Sequence, residues 1–223
     1  MITVVTAVTG GKDDLRHDQN KGSAKWLAFT EHQFSSKTWE HRPVHDRFKS
    51  ERRNSRIHKM LIHQYVDTKY SIWMDANLKL LITPEEVVER YLQDSDIAVF
   101  KHPNRDCLYD EAIICAKNRL DDPEVIIEQV KGYEDSGYGK HRGLAECSFI
   151  IRRHNARTEA FNNAWWAEYC RHSVRDQISF PYAINKAGIE VHYIDQPWTD
   201  LVAEAYRGDV IHAVPHLTPR IEA

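Results

Sequence analysis

Several large function classes are excluded by what the chain of 223 residues does not contain. Its four cysteines, Cys107, Cys115, Cys147 and Cys170, form neither a CxxC pair nor a tight framework. That spacing argues against a secreted disulfide scaffold and predicts small apolar packing residues in a reducing cytoplasm. The thirteen histidines are scattered, and no pair combines helical i, i+4 spacing with the glutamate of a zinc-hydrolase motif. A GxGxxG fingerprint is missing as well, so the chain does not read as a dinucleotide binder. The apolar start, Ile2 to Val8, is too short to span a bilayer and has no basic flank. A formal net charge of −3 supplies no global field toward nucleic acid or membrane.

What is present fits one well-buried α/β domain, since the length is short for two. Ile2 to Thr9 predicts a central strand closed by Gly10-Gly11, Lys25 to Thr30 a second, and Thr38 to Val44 a third. From Asn54 the basic run takes helical spacing, with Ile57, Leu61 and Tyr65 on one face. Thr83, Pro84 and Glu86 mark a helix start with a capping box. Asp96 to Phe100 predicts a strand, Tyr109 to Leu120 and Pro123 to Tyr133 two helices, and 135–143 a mobile glycine-bearing loop. A strand over Cys147 to Ile151 follows, then a helix over Glu159 to Cys170. Another helix opens near Ser173, with Pro181 expected to kink or end it, and Glu190 to Ile194 is expected as the last strand.

Tyr70-Ser71-Ile72-Trp73-Met74-Asp75-Ala76-Asn77 is the stretch around which a site can be built. A buried strand runs into an acid, and ligands of α/β sheets bind beyond the carboxyl ends of such strands. Asp75 and Asn77 share a side if the chain stays extended, which offers hard oxygen ligands to Mg²⁺ or Mn²⁺. A plain strand end and turn uses the same residue types. Small residues at the end of the first strand, Thr6, Ala7 and Thr9, are candidates to meet a base and ribose. Arg56 and Lys59, near a helix start, are candidates for a diphosphate, while Lys49 and Arg52 read as a solvated face. The polar loop 101–107, with His102 and Arg105, is expected to wall the site. Glu146, just ahead of its strand, suits sugar hydroxyls or a base role. Asp176 suits either a helix cap or a site.

In order along the chain, the segments TAVTGG (6–11), NSRIHK (54–59), WMDAN (73–77), FKHPNRDC (100–107) with Tyr109 and EA (111–112), GLAE (143–146), IRRHN (151–155), WW (165–166) and SVRDQISF (173–180) occur together. The set resembles a glycosyltransferase-like family, long catalogued as a domain of unknown function, that includes plant mucilage-pectin glycosyltransferase-related proteins and bacterial polysaccharide-locus proteins. The resemblance runs roughly from Ile2 to Tyr182. It implies a GT-A fold: a single Rossmann-like domain with a mostly parallel central sheet flanked by helices. The nucleotide-binding part would span about 1–105, the acceptor-binding part about 106–205, and a tail 206–223. It also implies a DxD-type metal motif at Asp75-Ala76-Asn77, the second acid being replaced here by an amide, a neutral and weaker ligand. A late histidine often completes such a metal set; His212 is the candidate and His216 the reserve.

The expected activity is metal-dependent transfer of a sugar from a nucleoside-diphosphate sugar, a UDP-sugar favoured, to a hydroxyl of a glycan or polysaccharide. The metal, with Arg56 or Lys59, would neutralise the leaving diphosphate. Asp176 beside Arg175, or Glu146, would deprotonate the acceptor or stabilise an oxocarbenium-like centre, and Gln177 would line the far face of the sugar. The alternatives are a phage-type transferase acting on a modified base in DNA, a non-catalytic sugar- or nucleotide-binding module, and a metal-assisted amide hydrolase, since a plant member has been described as an alkaline ceramidase. No membrane partner is expected.

Overall fold

The computed structural model describes residues 1–11 and 13–195, with the backbone of 205–207 and 211–213. In chain order the elements are β1 (Ile2–Val8), β2 (Lys25–Thr30), β3 (Glu40–Pro43), α1 (Glu51–Met60), β4 (Tyr70–Met74), β5 (Leu78–Leu80) and α2 (Pro84–Val87), which runs on as a π-helical turn over Val88–Leu92. Then come β6 (Ile97–Lys101), α3 (Leu108–Lys117), α4 (Pro123–Asp135), β7 (Ala145–Arg153), α5 (Ala156–Arg171), α6 (Asp176–Ala187), β8 (Val191–Ile194), β9 (Ala205–Arg207) and β10 (Ile211–Ala213).

Seven strands form the main sheet in the order β3-β2-β1-β4-β7-β6-β8. Only β7 runs antiparallel to its neighbours β4 and β6. A parallel strand is covered on both faces, which explains why β1 and β4 read as near-continuous apolar runs rather than alternating ones. Period-two alternation then sorts their side chains. Val4, Ile72 and Met74 enter one core with Trp26, Leu80 and Val87. Val5, Ala7 and Trp73 enter the other, with Met60 of α1, Trp165 of α5 and Phe180 of α6. The helices α3 and α4 close a third, smaller core against α6. Trp73 is fully buried, and truncating such a side chain to Ala costs about 3–5 kcal/mol.

Several boundaries differ from the sequence reading, each for a physical reason. The α1 helix begins three residues before Asn54 because the Ser50 side chain accepts from the Arg53 N–H and caps it. Its regular turns end at Met60, and a 3₁₀ turn over Ile62–Gln64 carries the chain on. Glu146 lies inside β7, paired with Phe100 across a register shift in β6, rather than ahead of the strand. Pro181 neither ends nor divides α6, because buried Ile178, Phe180 and Ala183 hold the helix through to Ala187. The segment after α4 is tied down rather than loose. Tyr109 Oη donates to the Tyr138 carbonyl, Arg142 donates to Asn185 at 2.8 Å, and the Gly143 N–H donates to the Asp106 carbonyl at 3.0 Å. Val191–Ile194 is not the last strand: β9 and β10 follow, and β10 pairs antiparallel with β5 in a second, three-stranded sheet. Cys107, Cys115 and Cys147 are buried as expected, but Cys170 is exposed.

Candidate active site

The site lies along one edge of the main sheet. The carboxyl ends of β1, β4 and β6 meet there, and the reversed β7 contributes its amino end to the same edge. Asp75 follows β4, and its N–H donates to the Ser148 carbonyl of β7 at 2.9 Å. It shares parity with Trp73, so its carboxylate leaves the sheet on the face covered by α1, α5 and α6. The Trp73 indole N–H donates to Asp75 Oδ1 at 2.9 Å, which fixes the carboxylate while leaving it partly exposed. Ala76 is buried, and its carbonyl accepts from the Arg16 N–H at 3.0 Å, so the turn carrying Asn77 is anchored from a second side.

On that face α1 and α6 supply opposite charges. Lys59 Nζ lies 2.6 Å from Asp176 Oδ2 with its side chain 1% exposed, and Arg56 Nε lies 3.4 Å from the same oxygen with 21% exposure. Lys59 is also held between the Trp73 and Trp165 rings, 5.8 Å from each centroid. Burial alone would raise the Asp176 carboxyl, but Lys59, and then Arg56, outweigh it and hold the group far below the usual carboxylate range. Desolvation opposes the Arg56 charge, yet Asp75 and Asp176 together keep it firmly protonated. Arg56 therefore pairs with the acid at the start of α6 and feels the charge of the acid at the end of β4. Arg52 belongs to the same cluster rather than to a solvated face, since burial, then Arg56 and Arg175, depress its pKa.

Arg175, not Asp176 or Ser173, is the residue that precedes the first turn of α6. Ser173 instead donates to Gln129 at 2.5 Å. Arg175 is buried and its Nη2 donates to Gln177 Oε1 at 3.3 Å, while Gln177 Nε2 donates to Glu146 Oε2 at 3.1 Å. This chain of contacts brings Arg175, Gln177 and Glu146 to the edge that carries Asp75. His102 and Arg105 meet on the loop after β6, with Arg105 Nη2 3.2 Å from His102 Nε2. Both are anchored by Glu111 of α3: Arg105 Nε donates to Glu111 Oε2 at 2.7 Å, and His102 Nε2 lies 3.6 Å from the same oxygen. Burial lowers the His102 pKa, with Glu111 opposing it. A cleft of about 380 Å³ opens beside them, lined by Lys101, His102, Asn104, Arg105, Asp106, Gly143, Leu144 and Tyr193.

The proposed nucleotide-facing residues of β1 are placed less uniformly. Thr6 is fully buried with no hydrogen-bond partner for Oγ1 among the described residues, Ala7 is nearly buried, and Thr9 Oγ1 donates to the Glu51 carbonyl at 3.1 Å. Lys59 does not have the access a diphosphate ligand needs, because its ammonium is enclosed and engaged by Asp176. His212 lies on β10, where register sets its backbone opposite Lys79, two residues beyond Asn77. Its side chain, and all of His216, lie outside the described residues. Asp75 and Asn77 are a hard oxygen pair, and one carboxylate together with phosphate oxygens and water is a common way to hold Mg²⁺, so the donor chemistry fits a small divalent ion.

Sequence reasoning counted Glu111 among the shared motif residues but gave it no role, and missed Trp73 as an orienting donor and Cys115, whose thiol donates to Glu111 Oε1 at 3.2 Å. The signal for Glu111 was its place in the apolar stripe Leu108, Ala112, Cys115, where a carboxylate must find partners.

A mixed sheet in this order, with one reversed strand and an acid at the end of its central strand, defines a GT-A-type, glycosyltransferase-like domain. The fold aligns with the solved bifunctional glycosyltransferase WbbM in its apo form, at a TM-score of 0.50 and 11% identity over 86% of this chain and 38% of that one. The chain belongs to the TOD1/MUCI70 glycosyltransferase-like domain family, whose pattern matches residues 29–199. It is 27% identical over 154 residues to the probable hexosyltransferase MUCI70 of Arabidopsis thaliana, covering 64% of this chain and 26% of that protein. It is 28% identical over 141 residues to the alkaline ceramidase TOD1 of the same plant, covering 58% and 30% respectively. The matches thus span about a quarter to a third of the length of these curated relatives. Among the described residues no helix is long and apolar enough to cross a membrane.

Proposed function

We propose that this chain transfers a sugar from a nucleoside-diphosphate sugar, a UDP-sugar favoured, to a hydroxyl of a glycan or polysaccharide. The observation that carries the reading is the Arg56 guanidinium paired with Asp176 at 3.4 Å at the carboxyl edge of the sheet, where the charge of Asp75 also helps to keep it protonated. A fixed cation there suits a diphosphate, which Arg can bind in bidentate fashion. Asp75 and Asn77 would hold Mn²⁺ or Mg²⁺, with His212 as the candidate third ligand; such an ion, when bound, supplies positive charge to the leaving diphosphate. Ala7 and Thr9, at and just past the end of β1, remain the residues proposed to meet the nucleoside, with fully buried Thr6 behind them and Ala76 close to the sugar.

Asp176 is too firmly ionised to serve as a proton acceptor near neutral pH. Its role in this reading is electrostatic: a preorganised negative charge facing the positive charge that develops at the anomeric carbon. Lys59 positions it from behind. Glu146, oriented by Gln177, is the candidate base for the acceptor hydroxyl. His102 and Arg105, on the wall of the 380 Å³ cleft, are placed to bind acceptor hydroxyls. One curated relative, named a probable hexosyltransferase, supports the class of reaction.

The test is nucleoside-diphosphate release from a panel of UDP-, GDP- and CDP-sugars with oligosaccharide acceptors and Mn²⁺. The expected result is turnover on one donor, reduced about 10²-fold or more by Asp176→Asn, the scale of losing one preorganised electrostatic group. No release from any donor, with or without the ion, would overturn the reading.

A further inference from the structure

Three side chains of different chemistry converge at the start of α3, at the end of the loop that carries His102 and Arg105. We propose that Cys107, Asp110 and His141 form a second metal site, of zinc type, that pins the segment after α4 to the loop after β6. Their ligand atoms lie within 4.8 Å of one another. Cys107 and Asp110 are brought together by the helix, as the residue before its first turn and the third residue within it. His141 arrives from the opposite side, on the segment between α4 and β7.

The donor set selects the ion. A thiolate with an imidazole and one carboxylate matches Zn²⁺, a borderline-soft cation, and is unlike the all-oxygen sets of Mg²⁺ or Mn²⁺. Cys107 is 1% exposed and makes no side-chain cap bond to α3, and its sulfur is the buried member of the three ligand atoms. Asp106 Oδ1 lies 2.7 Å from His141 Nδ1. A carboxylate on one ring nitrogen is the usual outer partner of a metal-bound histidine, and it leaves the other nitrogen for the ion. Zinc bonds of about 2.0–2.3 Å require ligand atoms about 3.5 Å apart, closer than the present limit. Asp110 and His141 are exposed, so the closure would come from their side chains, with His141 moving together with its Asp106 partner, while Cys107 is buried.

The consequence concerns the cleft. Asp106 and Gly143 line it, and the Gly143 N–H already donates to the Asp106 carbonyl. An ion on Cys107 and His141 adds a bond across the same seam and stiffens that wall. The site would act whatever reaction the Asp75 edge performs, so it stands apart from the transferase reading.

Cobalt titration of the full chain in a Cys170→Ser background tests it, since Cys170 is the exposed thiol. Co²⁺ should give an intense near-ultraviolet thiolate charge-transfer band at one equivalent, bleached by Zn²⁺. Cys107→Ser should remove the band. His141→Ala, at an exposed position that does not threaten folding, should weaken affinity at least 10-fold, and Asp106→Asn roughly 10-fold, the scale of losing an outer partner. Zinc should also slow amide exchange across 136–144 in the parent and not in His141→Ala. The absence of a charge-transfer band, or a band and affinity unchanged in both Cys107→Ser and His141→Ala, would overturn the proposal.

Discussion

Replacing Asp176 by Asn removes the anion at the centre of the α1–α6 contact and leaves the Lys59 ammonium enclosed. At 2.6 Å the attraction between the two charges is about 6 kcal/mol with an effective dielectric of about 20. That gross figure is offset by the desolvation of both groups, so the measurable quantity is the cost of stranding one partner. For a buried pair this is about 3–5 kcal/mol. Arg56 also loses its partner at 3.4 Å, but at 21% exposure it can turn to solvent and adds little. With about 2–4 °C per kcal/mol for a chain of this size, Asp176→Asn should melt roughly 6–20 °C below wild type at pH 7. The double variant Lys59→Met, Asp176→Asn no longer strands a charge and should recover most of that loss while remaining inactive. The sign with pH follows from the depressed carboxyl of Asp176: its contribution is present above the unfolded carboxylate value of about 3.9 and is lost as pH falls below it toward the folded value. The gap between wild type and Asp176→Asn should therefore narrow below about pH 4. Calorimetric or circular-dichroism melts at pH 7 and pH 3 check this. A single variant within 1 °C of wild type at pH 7, or a gap that widens in acid, would refute the reasoning.

Two further outcomes are expected. Burial, then Arg152 and His63, lower His154 to about 4, and burial, then His45, lowers His58 to about 3. Both are neutral when folded and take up a proton on unfolding, so stability should fall as pH drops from about 6.5 toward 4, by up to about 1.4 kcal/mol per pH unit from each; urea titrations across that range should lose this slope in part in His154→Gln. Gly143 has φ +90°, and an added Cβ would stand 3.0 Å from the Tyr193 ring. Gly143→Ala should cost about 1–3 kcal/mol and distort the cleft wall, seen as a lower melting temperature and altered Tyr193 resonances, whereas an unchanged melt would mean that the turn accepts a side chain.

The sequence carried most of the fold because its strands are short, apolar and punctuated. Lys25 to Thr30 falls on β2, and the Thr83–Glu86 capping box is present with both of its bonds. Elements set by tertiary contact were not legible. Local propensity counts Pro181 as a breaker, yet three buried neighbours carry α6 through it. The tail strands have no periodicity of their own and form because β5 offers β10 an edge. At the site, Asp75 could be picked out as an acid at the end of a buried strand. The partnership of Lys59 with Asp176 could not, since 117 residues separate them and only the fold, which lays α1 and α6 over the same face of the sheet, brings them together. A basic run in sequence gives charge, not direction: Arg56 turns toward the open edge, whereas Lys59 turns inward between two tryptophans.

The central claim is that the Asp75 edge binds a nucleoside diphosphate with the help of a divalent ion. Calorimetric titration of UDP, GDP and CDP, with and without Mn²⁺, on wild type and Asp75→Ala tests it most directly. The account predicts micromolar binding of one diphosphate that depends on Mn²⁺ and is lost in Asp75→Ala. No binding of any nucleotide under either condition, or binding unaffected by Asp75→Ala, would contradict it.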